Sequence, residues 1–272
     1  MDARPKLRIG IPGDYLPFGI IDESSPLGFS GHDVDLCAEL CREAGFAPVF
    51  VLTSWPDFMK GLAAGRFDLA AGGVSWTPER ARITTALPRY APFGKVALIR
   101  RAAAERFQTP EDLNQPGVRV IKNPGGTNER WVDEHLTRAQ VSTVADNASI
   151  PARIANDLGD VMITDSFEAL WYSARDVRLT VAMEGRRLTP IAWKTMLLRL
   201  GARRPVLPGR ESSPAASEPL GPLLLSAWGR LERAGVVETL AAKWLGAGRR
   251  AKPFSAAANT ASSRSFPSAG FP

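Results

Sequence analysis

Histidine and cysteine are almost missing from this chain: two of each among 272 residues. His32 and His135 stand far apart without ligand-like neighbours, so neither a metal site nor a catalytic histidine is expected. Cys37 and Cys41 lie four apart in one helical segment. They share a face, but helix geometry aims both along the axis, and a disulfide between them would be strained. Two cysteines also fall short of a zinc site. Small buried residues are their expected role. No apolar run is long enough to span a membrane, so no membrane insertion is expected. The segment Met1 to Arg8 is polar and runs straight into a strand, unlike a secretory signal. That start predicts a cytoplasmic protein, or one whose signal is missing from the chain as written.

Charge of one sign is in modest excess. The formal net charge is +6 and the pI near 9.7. This suits an anionic ligand. The basic residues are scattered among acids, and pairs such as Arg203-Arg204 and Arg249-Arg250 are short, so a nucleic-acid partner is not expected. The 44% hydrophobic and 23% charged residues are those of a globular protein with a sizeable core.

Strand and helix patterns alternate along the chain. Strands are predicted at 6–11, 48–53 and 67–71, with helices over 31–44 and 54–64 and a helical turn at 77–80. An extended run at 95–101 follows, then a crossing segment at 102–106. The alternation restarts with strands at 118–121, 141–144 and 161–164 and helices at 127–136, 150–157 and 165–173. Thr189 to Leu200 is extended and apolar and returns the chain to the first unit. Residues 201–222 read as an exposed loop, 223–234 and 236–245 as two helices, and 246–272 as disordered. The fold class is α/β with mainly parallel sheets. The expected division is 1–101 plus 190–246 for one domain, 102–189 for the other, and 247–272 as a tail.

Binding loops at the C-terminal ends of strands then face a cleft. One such loop is Lys122-Asn123-Pro124-Gly125-Gly126-Thr127-Asn128-Glu129, a strand-to-helix turn. Adjacent glycines let backbone approach a ligand, and a helix start favours an anion. The same turn also reads as an ordinary glycine turn with an Asn or Thr cap.

Several ordered motifs carry a resemblance. Gly13-Asp14-Tyr15-x-Pro17-Phe18, Gly31-x-Asp33-Val34-Asp35, Phe67-Asp68-Leu69 and Thr77-x-Glu79-Arg80 resemble the bacterial solute-binding proteins for polar amino acids. This likeness implies a two-domain, type II periplasmic-binding-protein-like fold with a ligand cleft between the domains, and a periplasmic location. Thr53-Ser54-Trp55-Pro56, Phe107-Gln108-Thr109, Gln115-Pro116-Gly117-Val118, the 123–129 turn and Met162-Ile163-Thr164-Asp165-Ser166-Phe167-Glu168-Ala169 are similar to the cyclohexadienyl dehydratases, enzymes on that same fold. The resemblance implies decarboxylating dehydration of prephenate to phenylpyruvate, or of L-arogenate to L-phenylalanine, with no cofactor or metal.

That chemistry needs carboxylate anchors and one acid, because hydroxide leaves poorly unless protonated. Glu168 is the expected acid, its pKa raised by burial; the competing reading is a solvated helix residue. Arg80 is the expected carboxylate clamp, by paired guanidinium hydrogen bonds. Lys95 is placed to neutralise the second carboxylate or to orient Glu168. Asn123 and Thr127 would hold the ring carboxylate or hydroxyl, and Trp55 would wall the ring, unless it is a core tryptophan. Asp165 would pair with the amino group of arogenate or cap its helix, and the pattern adds Ser75 and Asp14 as substrate contacts. The segment Ser75-Trp76-Thr77-Pro78 is bulkier than the pattern before the clamp arginine. The alternative is a non-catalytic transporter component that binds polar amino acids. The oligomeric state stays open, a homo-oligomer included.

Overall fold

A computed structural model describes residues 4–207, 209 and 218–246. The tail expected at 247–272, and positions 208 and 210–217 of the expected 201–222 loop, lie outside the described residues. The chain builds two α/β lobes joined by a two-stranded ribbon. The first lobe opens with β1 (Lys6–Ile11), whose alternating side chains bury Leu7 and Ile9. A small three-stranded sheet follows from β2 (Asp14–Tyr15), β3 (Gly19–Ile21) and β4 (Phe29–Ser30). Helix α1 (His32–Ala44) presents Leu36, Cys37, Leu40 and Cys41 to the core, and both cysteines are free thiols. Gly45 ends it in the left-handed region with φ 80°, the usual glycine stop.

Strand β5 (Ala47–Leu52) pairs parallel to β1. Ser54 caps α2 (Trp55–Ala63), with Pro56 in the first turn, where its missing N–H costs nothing. Then come β6 (Leu69–Ala70), α3 (Pro78–Ile83), β7 (Thr84–Ala86) and β8 (Ala91–Phe93). The first large sheet is ordered β5-β1-β6-β15-β7, with β15 (Leu197–Arg199) returning antiparallel. Its core packs Leu7, Ile9, Leu36 and Leu40 against Leu224, Trp228 and Leu231 of α7 (Leu220–Arg233). That helix starts three residues before the expected 223, because a proline at 222 is tolerated in a first turn. Helix α8 (Val236–Leu245) follows as predicted.

The second sheet is ordered β11-β10-β12-β9-β13. It contains β9 (Lys95–Arg100), β10 (Arg119–Lys122), β11 (Gln140–Thr143), β12 (Val161–Asp165) and β13 (Leu179–Val181). Helices α4 (Thr127–His135), α5 (Ile150–Ala155) and α6 (Ser166–Ser173) follow three of its strands. Pairs β10·β11 and β10·β12 are parallel, whereas β9 runs antiparallel to β12 and β13.

This pairing corrects the expected division at 101/102. The 95–101 run belongs to the second sheet, and Arg101–Arg106 is a 3-10 turn whose Ala103 and Ala104 pack on the second core, not a crossing. A strand's local pattern states its burial but not which sheet receives it. The crossing is the ribbon of β8 with β14 (Ala192–Lys194), which also fixes Lys194 opposite Ala91.

Candidate active site

The facing ends of both sheets enclose a cavity lined by Tyr15, Trp55, Ser75, Arg80, Asn123 and Thr127, together with Asn147, Asp165 and Lys194. Arg80 sits in α3 after the Gly72-Gly73 loop. That loop is pinned from below: buried Asp33 accepts from Gly72 N at 2.8 Å and Gly73 N at 2.7 Å. Arg80 Nη1 donates to the Ser75 carbonyl at 2.9 Å. Among the described residues no carboxylate pairs with Arg80. Burial, then the charge of nearby Arg130, lowers its pKa to about 10, so it stays charged at neutral pH. A held guanidinium without a paired carboxylate is suited to receive an anion.

Opposite lies a buried ionic knot. The β9–β12 register sets Lys95 beside Asp165. Lys95 Nζ donates to Asp165 Oδ1 at 2.7 Å, to Thr127 Oγ1 at 2.8 Å and to Asn128 Oδ1. Lys194 Nζ donates to Asp165 Oδ2 at 2.6 Å and to the Gly73 carbonyl at 2.6 Å. Tyr15 Oη donates to the same Oδ2 at 2.6 Å. The cost of burying Asp165 is outweighed by the two lysines, which hold its pKa well below the usual carboxylate range. Burial pulls the Lys194 pKa down while Asp165 pushes back.

Glu168 is fully buried on the first turn of α6. Thr164 Oγ1 donates to its Oε2, and Asn147 Nδ2 donates to its Oε1 at 2.6 Å. Burial dominates these bonds, the charges of Asp165 and Asp14 act in the same direction as burial, and the pKa rises to about 8. Glu168 is therefore protonated at neutral pH. The Asn147 Oδ1 atom has no partner, so rotating that amide lets it accept from the protonated acid.

A family model for bacterial extracellular solute-binding proteins, family 3, matches residues 7–247. The chain belongs to that family. Its two domains with a cleft between them are those of the type II binding-protein fold. Cyclohexadienyl dehydratase of Pseudomonas aeruginosa is 39% identical over 163 residues, 60% of either chain. A probable histidine-binding protein of Campylobacter jejuni subsp. jejuni is 25% identical over 174 residues, 64% of this chain and 65% of that one. The chain thus aligns with less than two thirds of each of these curated relatives. Among solved structures, an ancestral amino acid-binding protein, a precursor of cyclohexadienyl dehydratase, is similar with a TM-score of 0.73 and 26% identity, over 89% of this chain and 96% of that one.

Within this solute-binding-protein cleft the expected residues divide. Trp55, Ser75, Arg80, Asn123, Thr127 and Asp165 meet at the cavity. Glu168 does not line it: Asn147 stands between, and the Tyr15 hydroxyl neighbours the Thr164 hydroxyl that holds the acid. Lys95 does not orient Glu168; its bonds go to Asp165 and the α4 start. Asp165 makes no side-chain cap on α6, because both its oxygens are taken.

Asp14 is also outside the lining. It accepts from Trp55 Nε1 at 2.9 Å and from Asn147 N at 3.2 Å, so it positions the wall rather than a ligand. At the 122–129 turn, the expected Asn or Thr cap is replaced by Gly126, and Glu129 takes the Gly125 N–H at 2.6 Å. The sequence reading missed Lys194, Asn147 and Thr164 as site residues, and quoted Tyr15 only within a motif. A lysine inside an otherwise apolar return strand was the one signal for Lys194.

Proposed function

We propose that this chain is a cyclohexadienyl dehydratase, removing carbon dioxide and water from prephenate or L-arogenate. One observation carries the reading: a glutamic acid with no solvent exposure, held beside an anion-binding cleft and still protonated at neutral pH. A polar-solute receptor gains nothing from burying such an acid, whereas elimination of hydroxide requires one. The 39% identity to a dehydratase supports the same reading.

Arg80 takes the side-chain carboxylate of the substrate by paired hydrogen bonds. Trp55 and Tyr15, edge to face with ring centroids 5.7 Å apart, form one wall for the ring. Asn123 and Thr127 hold the ring's polar substituents. The ring carboxylate leaves as carbon dioxide, and its bonding pair enters the ring. The opposite C–O bond breaks, the oxygen takes a proton supplied by Glu168 and relayed through the Thr164 and Tyr15 hydroxyls, leaves as water, and the ring becomes aromatic. Glu168 is reprotonated from solvent. One hydroxyl, that of Thr164, lies between Glu168 and the cavity-lining Tyr15. The family points to the periplasm as the place of action.

The second reading, a non-catalytic receptor, is favoured by Glu168 lying behind the lining. Turnover of prephenate by the wild type decides between them, and Glu168→Gln tests the acid. As the acid, its loss lowers prephenate turnover by roughly 10²–10⁴-fold, while affinity changes far less. Unchanged turnover removes Glu168 from the chemistry.

A further inference from the structure

Lys194 belongs to neither lobe. It sits on the ribbon strand that joins them, opposite Ala91, at the floor of the cavity. Its side chain is 1% exposed. Its Nζ lies over the rings of Phe93 and Tyr15, 4.3 Å and 4.9 Å from their centroids. Its ammonium ends between Asp165 Oδ2 and the Gly73 carbonyl, both at 2.6 Å. It thereby touches one group from each lobe.

The effect is on Asp165. A buried carboxylate at the base of a cleft is where an ammonium group would bind. Here Oδ1 is taken by Lys95, and Oδ2 by Lys194 and Tyr15. An incoming ammonium would have to expel a buried lysine from its ion pair. The charge count agrees. Of the charged residues that line the cavity, Arg80 and Lys194 face Asp165 alone, and Lys95 pairs with Asp165 from behind, so the cavity holds a surplus of positive charge. The Asp14 carboxylate lies outside the lining and is engaged by Trp55. A low-dielectric site with that surplus favours a dianion and disfavours a ligand bearing its own ammonium.

We propose that Lys194 is a ligand-binding residue that, together with Lys95, occupies Asp165 and makes the cleft select a 2-oxo dicarboxylate over the corresponding amino acid. This rests on the dehydratase reading for the ring and carboxylates of the ligand, and it deepens that reading: prephenate, not L-arogenate, is the preferred substrate. The selection acts before any chemistry, so it has a readout of its own.

The test pairs two unreactive ligands, phenylpyruvate and L-phenylalanine, which share ring and carboxylate and differ in the oxo or ammonium group. Calorimetry on the wild-type protein is expected to give phenylpyruvate at least tenfold tighter binding. Lys194→Met is expected to weaken phenylpyruvate by tenfold or more and to leave L-phenylalanine unchanged or tighter, because Asp165 is released. A purely structural lysine would weaken both alike. Should the variant not fold, the wild-type ratio stands as the test, joined by kcat/KM for prephenate over L-arogenate, expected above ten. Equal or better binding of L-phenylalanine by the wild type, or no binding of either ligand, overturns the proposal. So does equal turnover of both substrates, although the dehydratase reading then survives. Tight, selective phenylpyruvate binding without turnover of prephenate does the reverse: it keeps the charge selection and removes the enzyme.

Discussion

Replacing Glu168 by glutamine should change how stability depends on pH, whatever the protein's activity. The folded-state pKa is raised from 4.5 to about 8. Between those values the folded protein keeps a proton that the unfolded chain has lost. More protons on the folded state mean that stability falls as pH rises. The slope approaches 1.36 kcal/mol per pH unit and levels off above the folded pKa. The accumulated loss is about 5 kcal/mol, a large share of a typical total of about 5–15 kcal/mol. Glutamine carries no such proton. Its amide also finds partners: it accepts from Thr164, and the free Asn147 Oδ1 accepts from it after rotation.

Urea unfolding of both proteins from pH 5 to 9 measures the difference. Subtraction removes groups common to both, such as Asp165. The variant should gain on the wild type steadily between pH 5 and 8 and then hold a constant lead. Parallel curves across that window would show that Glu168 ionises normally, and the acid assignment would lose its physical basis.

Three further outcomes follow from the cleft's geometry. Arg80→Ala should weaken phenylpyruvate binding by about 1.5–3 kcal/mol, the worth of a charged hydrogen bond, read by calorimetry; unchanged affinity removes the clamp. Gly125→Ala should hold the lobes apart, since its backbone has φ +86° and an added Cβ would lie 2.3 Å from Pro56 N and 2.6 Å from the Trp55 carbonyl carbon. X-ray scattering with saturating phenylpyruvate should then show a wider molecule than wild type, and an identical profile contradicts the packing. Asp33→Ala should cost about 3 kcal/mol or more by stranding the Gly72 and Gly73 N–H groups and the Tyr90 hydroxyl; a thermal melt within a degree of wild type contradicts that role.

The strand–helix alternation was legible because each element carries its own signal. Ser54 and Pro56 mark the start of α2, and the spacing of Leu36, Cys37, Leu40 and Cys41 marks the buried face of α1. Arg80, Asn123 and Thr127 were legible for a similar reason: each follows a strand, on the side where a cleft must lie. What was not legible depends on contact between distant segments. Asn147 reaches both Asp14 and Glu168, across 133 and 21 residues of chain. Lys194 meets Tyr15 and Gly73 only because the ribbon brings it there. The sheet membership of β9 and the saturation of Asp165 are likewise properties of the assembled fold. Local periodicity carries no term for them.

The central claim is a reaction, and it is tested by incubating the wild-type protein with prephenate at neutral pH. The account predicts phenylpyruvate appearing in step with the loss of prephenate, at a rate proportional to protein. It also predicts that the rate declines as the pH is raised through about 8, where Glu168 loses its proton. Prephenate left intact by a protein that binds polar amino acids tightly would contradict the account, and would make this chain a receptor that buries a glutamic acid for some other reason.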